Sequence, residues 1–115
     1  MQDILSQMTR IRGVGGCLLV SSDGLPMASA LRGGTDEGQF AAGLGALVDT
    51  AMRLCSTFGL GRWSYVNGAG DGGGLLLIAT GPAYLAVAVD PTANLALLQL
   101  EIKPFAERLA KALTL

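Results

Sequence analysis

The sequence predicts an α+β fold in α/β/α layers, a five-stranded antiparallel sheet with helices on both faces, in the order α-β-β-α-β-β-β-α. Three observations carry this prediction. Val14–Ser21 and Leu25–Leu31 are apolar runs on either side of Asp23-Gly24, which spells a β-hairpin. Leu75–Thr80 and Ala83–Val89 form a second such pair through Gly81-Pro82. Phe40–Phe58 and Leu95–Leu113 repeat their apolar residues at helical spacing.

Each element follows from local chemistry. Ile4, Leu5, Met8 and Ile11 share one face of a short amphipathic helix over Gln2–Arg10, which ends before Gly13. The first hairpin follows. Pro26 lacks an N–H for a ladder, so Leu25–Leu31 belongs at a sheet edge. Thr35 or Asp36 caps the long helix, with Gln39 as the partner of a capping-box start, and the helix runs to about Thr57. Its apolar stripe of Phe40, Leu44, Leu47, Val48, Ala51, Leu54, Cys55 and Phe58 is expected to face the core.

The opposite face reads Ala42, Gly45, Ala46, Asp49, Met52, Arg53 and Ser56. Gly43 and Gly45 each cost ~1 kcal/mol of helix propensity against alanine. Small side chains let a second backbone come close, so this face is expected to bind a partner and to contribute little to the fold. Gly59 closes the helix. Arg62–Asn67 reads as a half-buried edge strand with Trp63 and Tyr65 on one side and Arg62, Ser64 and Val66 on the other. Gly68–Gly74 reads as a flexible loop. Leu75–Thr80 and Ala83–Val89 are apolar enough for central strands covered on both faces. In the last helix, Leu95, Leu98, Ile102, Phe105, Leu109 and Leu113 form a stripe interrupted by Pro104, which predicts a kink near Leu100–Lys103 or two shorter helices.

The chain of 115 residues is one domain, 1–115, large enough for a core without metal or disulfide. Half its residues are apolar and only 15% are charged, more apolar surface than so small a domain hides, which argues for self-association. A net charge of −1 gives no electrostatic footprint for nucleic acid or an anionic membrane. No apolar run approaches a membrane span, and no basic stretch with an apolar run opens the chain, so a cytoplasmic location is expected. Cys17 and Cys55 read as reduced core thiols of such a compartment.

The sequence contains no histidine, which removes the commonest general base and the commonest metal ligand. No metal site, cofactor or catalytic residue is predicted. Gly13-Val14-Gly15-Gly16 follows a helix and opens a strand, the reverse of a dinucleotide-binding order, and Gly68–Gly74 lacks the lysine of a phosphate loop. Asp49 and Arg53 stand one helical turn apart, able to pair on the small-residue face or to orient a partner's charged group.

The strand-turn-strand Gly15–Ala30 with Ser22-Asp23-Gly24-Leu25, the small-residue helix Phe40–Phe58, the strands Leu75–Val89 through Gly81-Pro82 and the helix opening Ala93-Asn94-Leu95 resemble the roadblock/dynein light chain family. The resemblance covers roughly the whole chain and implies a roadblock-like, profilin-like architecture. It also implies a homodimer in which the strand after the long helix pairs with its copy and the long helices lie side by side. That places Arg62, Trp63, Ser64, Tyr65 and Val66 at the dimer seam, and Ala42, Gly45, Ala46, Asp49, Arg53 and Ser56 on the partner-binding helix face. In bacterial members the dimer binds a Ras-like small GTPase of the gliding-protein type, as activator or scaffold, with no catalytic motif of its own. A small-molecule or signal-sensing module is the alternative, although the chain offers few polar groups to orient a ligand.

Overall fold

The computed structural model describes residues 1–114. Its elements are α1 (Gln2–Met8), β1 (Val14–Ser21), β2 (Pro26–Ala30), α2 (Glu37–Thr57), β3 (Tyr65–Gly70), β4 (Gly73–Ala79), β5 (Ala83–Val89) and α3 (Leu95–Leu113), the predicted order. The five strands form one antiparallel sheet in the order β2-β1-β5-β4-β3.

Alternation along the strands builds a core on each face. Cys17, Leu19, Leu76, Leu85 and Val87 point to the side covered by α1 and α3, whereas Leu18, Val20, Leu77 and Ala86 point to α2. Each fully buried leucine contributes about 1.5–3 kcal/mol. β5 lies at the centre with β1 and β4 beside it, so β1 shares the interior with the two strands predicted there. Pro26 opens the edge strand β2, as its missing N–H requires. Asp36 caps α2 by accepting from the Gln39 N–H at 3.0 Å, and Asn94 caps α3 through the Leu97 N–H at 3.1 Å.

Four expectations are corrected. α2 buries Ala41, Leu44 and Val48, but it packs chiefly over β1 and β2, and its last turn stands clear of the core. Leu54 and Phe58 are therefore 52% and 69% exposed. Secondly, β3 starts three residues later than predicted, leaving Arg62, Trp63 and Ser64 in its approach. Thirdly, the expected Gly68–Gly74 loop is mostly strand, since Gly68, Ala69 and Gly70 pair with Leu75, Gly74 and Gly73 around an Asp71-Gly72 turn. Lastly, of the two outcomes expected around Pro104, the break into two shorter helices does not occur, and α3 stays one helix through it. Pro104 and Leu100 lie on its exposed side, so water can satisfy the carbonyl that proline leaves unpaired.

Gly45 carries a further correction. A Cβ there would lie 2.8 Å from the Gly24 Cα in the β1–β2 turn, so this glycine lets α2 close onto the hairpin of its own domain. Gly45→Val should overpack that contact and lower unfolding stability by about 1–3 kcal/mol. Ala46→Glu, at the next and exposed position, should stay within about 0.5 kcal/mol in the same urea titration.

Cys17 is fully buried and donates its S–H to the Leu5 carbonyl at 3.4 Å; burial pushes its pKa from 9.0 up to about 11. The unfolded chain ionises this thiol first, so its contribution is complete below pH 9 and is lost as pH rises from 9 to about 11. Across that interval the wild type should lose about 2–3 kcal/mol more stability than Cys17→Ala, measured by urea unfolding at each pH.

Candidate interaction surface

Of the two sheet edges, β3 is the open one, and its hydrogen-bond parity defines what it offers. The Ala79 N–H donates to the Ser64 carbonyl at 3.0 Å, which puts Ser64, and by alternation Val66, Gly68 and Gly70, in bonded pairs with β4. Tyr65, Asn67 and Ala69 consequently turn their N–H and C=O groups outward. Their side chains project to the α3 side of the sheet, opposite Val66, which packs into the α2-side core.

Trp63 and Tyr65, expected on one side, are thereby separated. Trp63 lies before the strand begins and stacks on Tyr84 with ring centroids 5.2 Å apart and planes 15° apart. Gly59 and Gly61, at φ +66° and +77°, turn the chain so that the indole reaches the α2-side core. Tyr65 is 55% exposed at the edge. Arg62, Ser64 and Tyr65 are exposed, and Val66 is half-buried.

α2 presents two different exposed strips. Ala42, Ala46, Asp49, Arg53 and Ser56 are exposed on the predicted partner face, while Gly45 beside them is half-buried against Gly24. Asp49 and Arg53 pair at 3.3 Å, both well exposed, an interaction of about 0.3 kcal/mol. The second strip is apolar. At about 100° per residue, Gly43, Leu47, Leu54 and Phe58 fall together on the other flank of the buried stripe. With Leu60, also 69% exposed, Leu54 and Phe58 form an uncovered apolar end to the helix. Sequence reasoning assigned Leu47, Leu54 and Phe58 to the core because their period matches; Leu47 does pack against the α2-side core, whereas Leu54 and Phe58 overhang it.

Between the α2 start and the sheet lies a groove of about 900 Å³, lined by Gly15, Gly16, Phe40, Gly68 and Gly74 among others. The one cation in its wall, Arg32, is committed to Asp90 at 3.0 Å. Among the described residues no group of three or more His, Cys, Asp or Glu side chains is placed to hold a metal. No helix there is long and apolar enough to cross a membrane. What the surface offers is a bare strand edge, an apolar helix end and a helix face of small side chains, features suited to contact with another protein.

Comparison with known proteins agrees with this fold. A protein of the archaeon Methanocaldococcus jannaschii, described only as uncharacterized, is 31% identical over 106 residues, covering 92% of this chain and 90% of its own. The structure of Myxococcus xanthus MglB superposes with a TM-score of 0.93 at 21% identity, over 98% of this chain and 94% of that one. The gliding protein MglB of Thermus thermophilus superposes with a TM-score of 0.83 at 23% identity, over 95% and 84% of the two chains. The family model of the Roadblock/LC7 domain matches residues 1–89, and the chain belongs to that family.

Proposed function

We propose that this chain is a cytoplasmic, non-catalytic regulator or scaffold that acts as a homodimer and binds a Ras-like small GTPase of the gliding-protein type. The observation that carries the reading is the unpaired β3 edge, in a chain that also leaves the apolar end of α2 exposed. Both surfaces are too apolar for a solvated flank, and pairing β3 with its copy covers the first.

Parity restricts how that pairing runs. Outward groups come from Tyr65, Asn67 and Ala69, so a two-fold axis at Asn67 sets Tyr65 of each copy across from the partner's Ala69, a large side chain over a small one. Gly68 meets open space on the α2 side, where a Cβ would touch nothing within 4 Å among the described residues. A strand glycine in such a place suits the close approach of another chain. Leu54, Phe58 and Leu60, at the other end of α2, are a further exposed apolar surface of the chain. The GTPase is left the other strip of α2, where Ala42 and Ala46 allow a flat approach and the Asp49–Arg53 pair supplies charges for register.

Stimulation of GTP hydrolysis, in this reading, comes from ordering the GTPase's own switch loops. The roadblock domain supplies no nucleotide site and no cofactor.

Asn67→Pro removes an outward N–H and leaves the β3–β4 ladder intact, so it should convert the dimer to a monomer in light scattering without loss of thermal stability. Val66→Pro removes an inward bond and should destabilise the fold as well. A monomeric wild type at micromolar concentration would end the dimer reading. For the GTPase, Ala46→Glu should abolish capture of the Ras-like GTPase from a lysate of the source cells while the protein stays dimeric. Single-turnover GTP hydrolysis under saturating regulator should be unchanged by Arg53→Ala and Arg62→Ala; a loss of about 10³-fold in either, with binding retained, would mean that this chain inserts an arginine finger.

A further inference from the structure

Between Arg53 and Asp90 the chain carries two charged side chains, Arg62 and Asp71, and the fold sets one just beyond each end of β3. Both are exposed. The ion pairs among the described residues are Arg32 with Asp90 and Arg53 with Asp49, so neither Arg62 nor Asp71 is neutralised within its own copy. They cannot neutralise each other there, because the length of the six-residue β3, about 20 Å, lies between them.

The outward residues Tyr65, Asn67 and Ala69 restrict how a second copy lies along this edge. Only an antiparallel pairing centred on Asn67 matches all three with the same set on the partner. In that register Ser64, still held beside β4 by the bond from Ala79, stands across from the partner's Gly70. Arg62 then comes to the same corner as the partner's Asp71, one position from directly opposite it. Opposed residues of neighbouring strands lie about 5 Å apart, a gap that an arginine side chain spans. The two-fold axis repeats the contact at the other corner. A parallel pairing in register instead sets Arg62 beside Arg62 and Asp71 beside Asp71, which repel.

We infer that Arg62 and Asp71 are the self-recognition contacts of this chain: each Arg62 pairs with the partner's Asp71 at the two corners of the β3 seam, and the partner they select is a second, antiparallel copy. The inference rests on the dimer proposed above and adds the residues that choose its orientation. Backbone groups alone accept any bare strand edge. Opposite charges at two corners admit the antiparallel copy and oppose the parallel one.

The test is the dimer dissociation constant of the full chain, measured by sedimentation equilibrium at low ionic strength, where exposed charges act most strongly. Arg62→Glu makes both corners negative and Asp71→Lys makes both positive. Each variant alone should dissociate about 10–100-fold more readily, through two lost ion pairs and two new repulsions. Mixed in equal amounts, the two should bind each other at wild-type strength, because both corners of the mixed dimer again oppose unlike charges. Arg62→Glu with Asp71→Lys in one chain should likewise restore the wild-type dimer. Both positions are exposed and Asp71 holds a negative φ, so each variant should keep the wild-type fold by circular dichroism. A monomeric wild type ends the dimer reading and this inference with it. A wild-type dimer whose dissociation constant neither reversal changes, or a mixture no tighter than its separate parts, overturns the inference and leaves the dimer reading standing.

Discussion

Both faces of one sheet have to be dried by three helices in a chain of 115 residues, and the rest of the structure follows from that constraint. β1 and β5 carry apolar side chains on both sides, so neither face can be left to water. α1 and α3 together cover one face, and α2 alone covers the other. α2 lies over β1 and β2, and little remains to shield β3. The uncovered strand and the overhanging end of α2 occur together because one helix cannot span five strands.

Charge and edge chemistry then divide the exterior into zones. The β2 side is finished by Pro26 and by the Gln2 side-chain amide, which donates to the Ser29 carbonyl and accepts from the Ser29 N–H, and the far ends of β2 and β5 are bridged by Arg32 and Asp90 across Gly15. A Cβ on Gly15 would crowd both partners, at 3.1 and 3.3 Å. Among the described residues the β3 side has no such finish. Exposed charge on α2 is confined to the Asp49–Arg53 strip, so the helix separates a flank suited to burial from one suited to reversible contact. That separation fits the proposed role of this Roadblock/LC7 family member as a scaffold for other proteins.

Much of this fold was legible in the sequence wherever a local rule acts alone. The cap of α2 at Asp36, one of the two residues offered for it, the opening of α3 around Asn94 and Pro26 at an edge are each decided by one or two local hydrogen bonds, and these were legible. The errors fall where a distant neighbour decides. Leu54 and Phe58 fit the apolar period of α2, but the period carries no information about where the sheet beneath ends. Gly68, Ala69 and Gly70 have poor strand propensity and read as loop, yet the ladder offered by β4 overrides it; the Asp71-Gly72 pair was the available signal of a tight hairpin. Gly45 read as interface because its true neighbour, Gly24, is distant in sequence. Trp63 followed a strand alternation that the turn at Gly59–Gly61 had already broken. Of the candidate surface, the edge character of the strand after α2 was readable, whereas the outward set of Tyr65, Asn67 and Ala69 needed a ladder bond to fix its parity.

The sheet order also has a meaning during synthesis. β1 finds β2 at once, across a short turn, but its other neighbour is β5, which begins more than sixty residues after β1 begins. At a translation rate of about 5–20 residues per second, the inner side of β1 waits for several seconds with its peptide groups unmatched. During that wait α2 is made and can settle over Leu18 and Val20, so the nascent hairpin has one face sheltered before its permanent neighbour leaves the ribosome. A strand that ends in the interior of the finished sheet is thus the one exposed longest to chaperones and to other nascent chains.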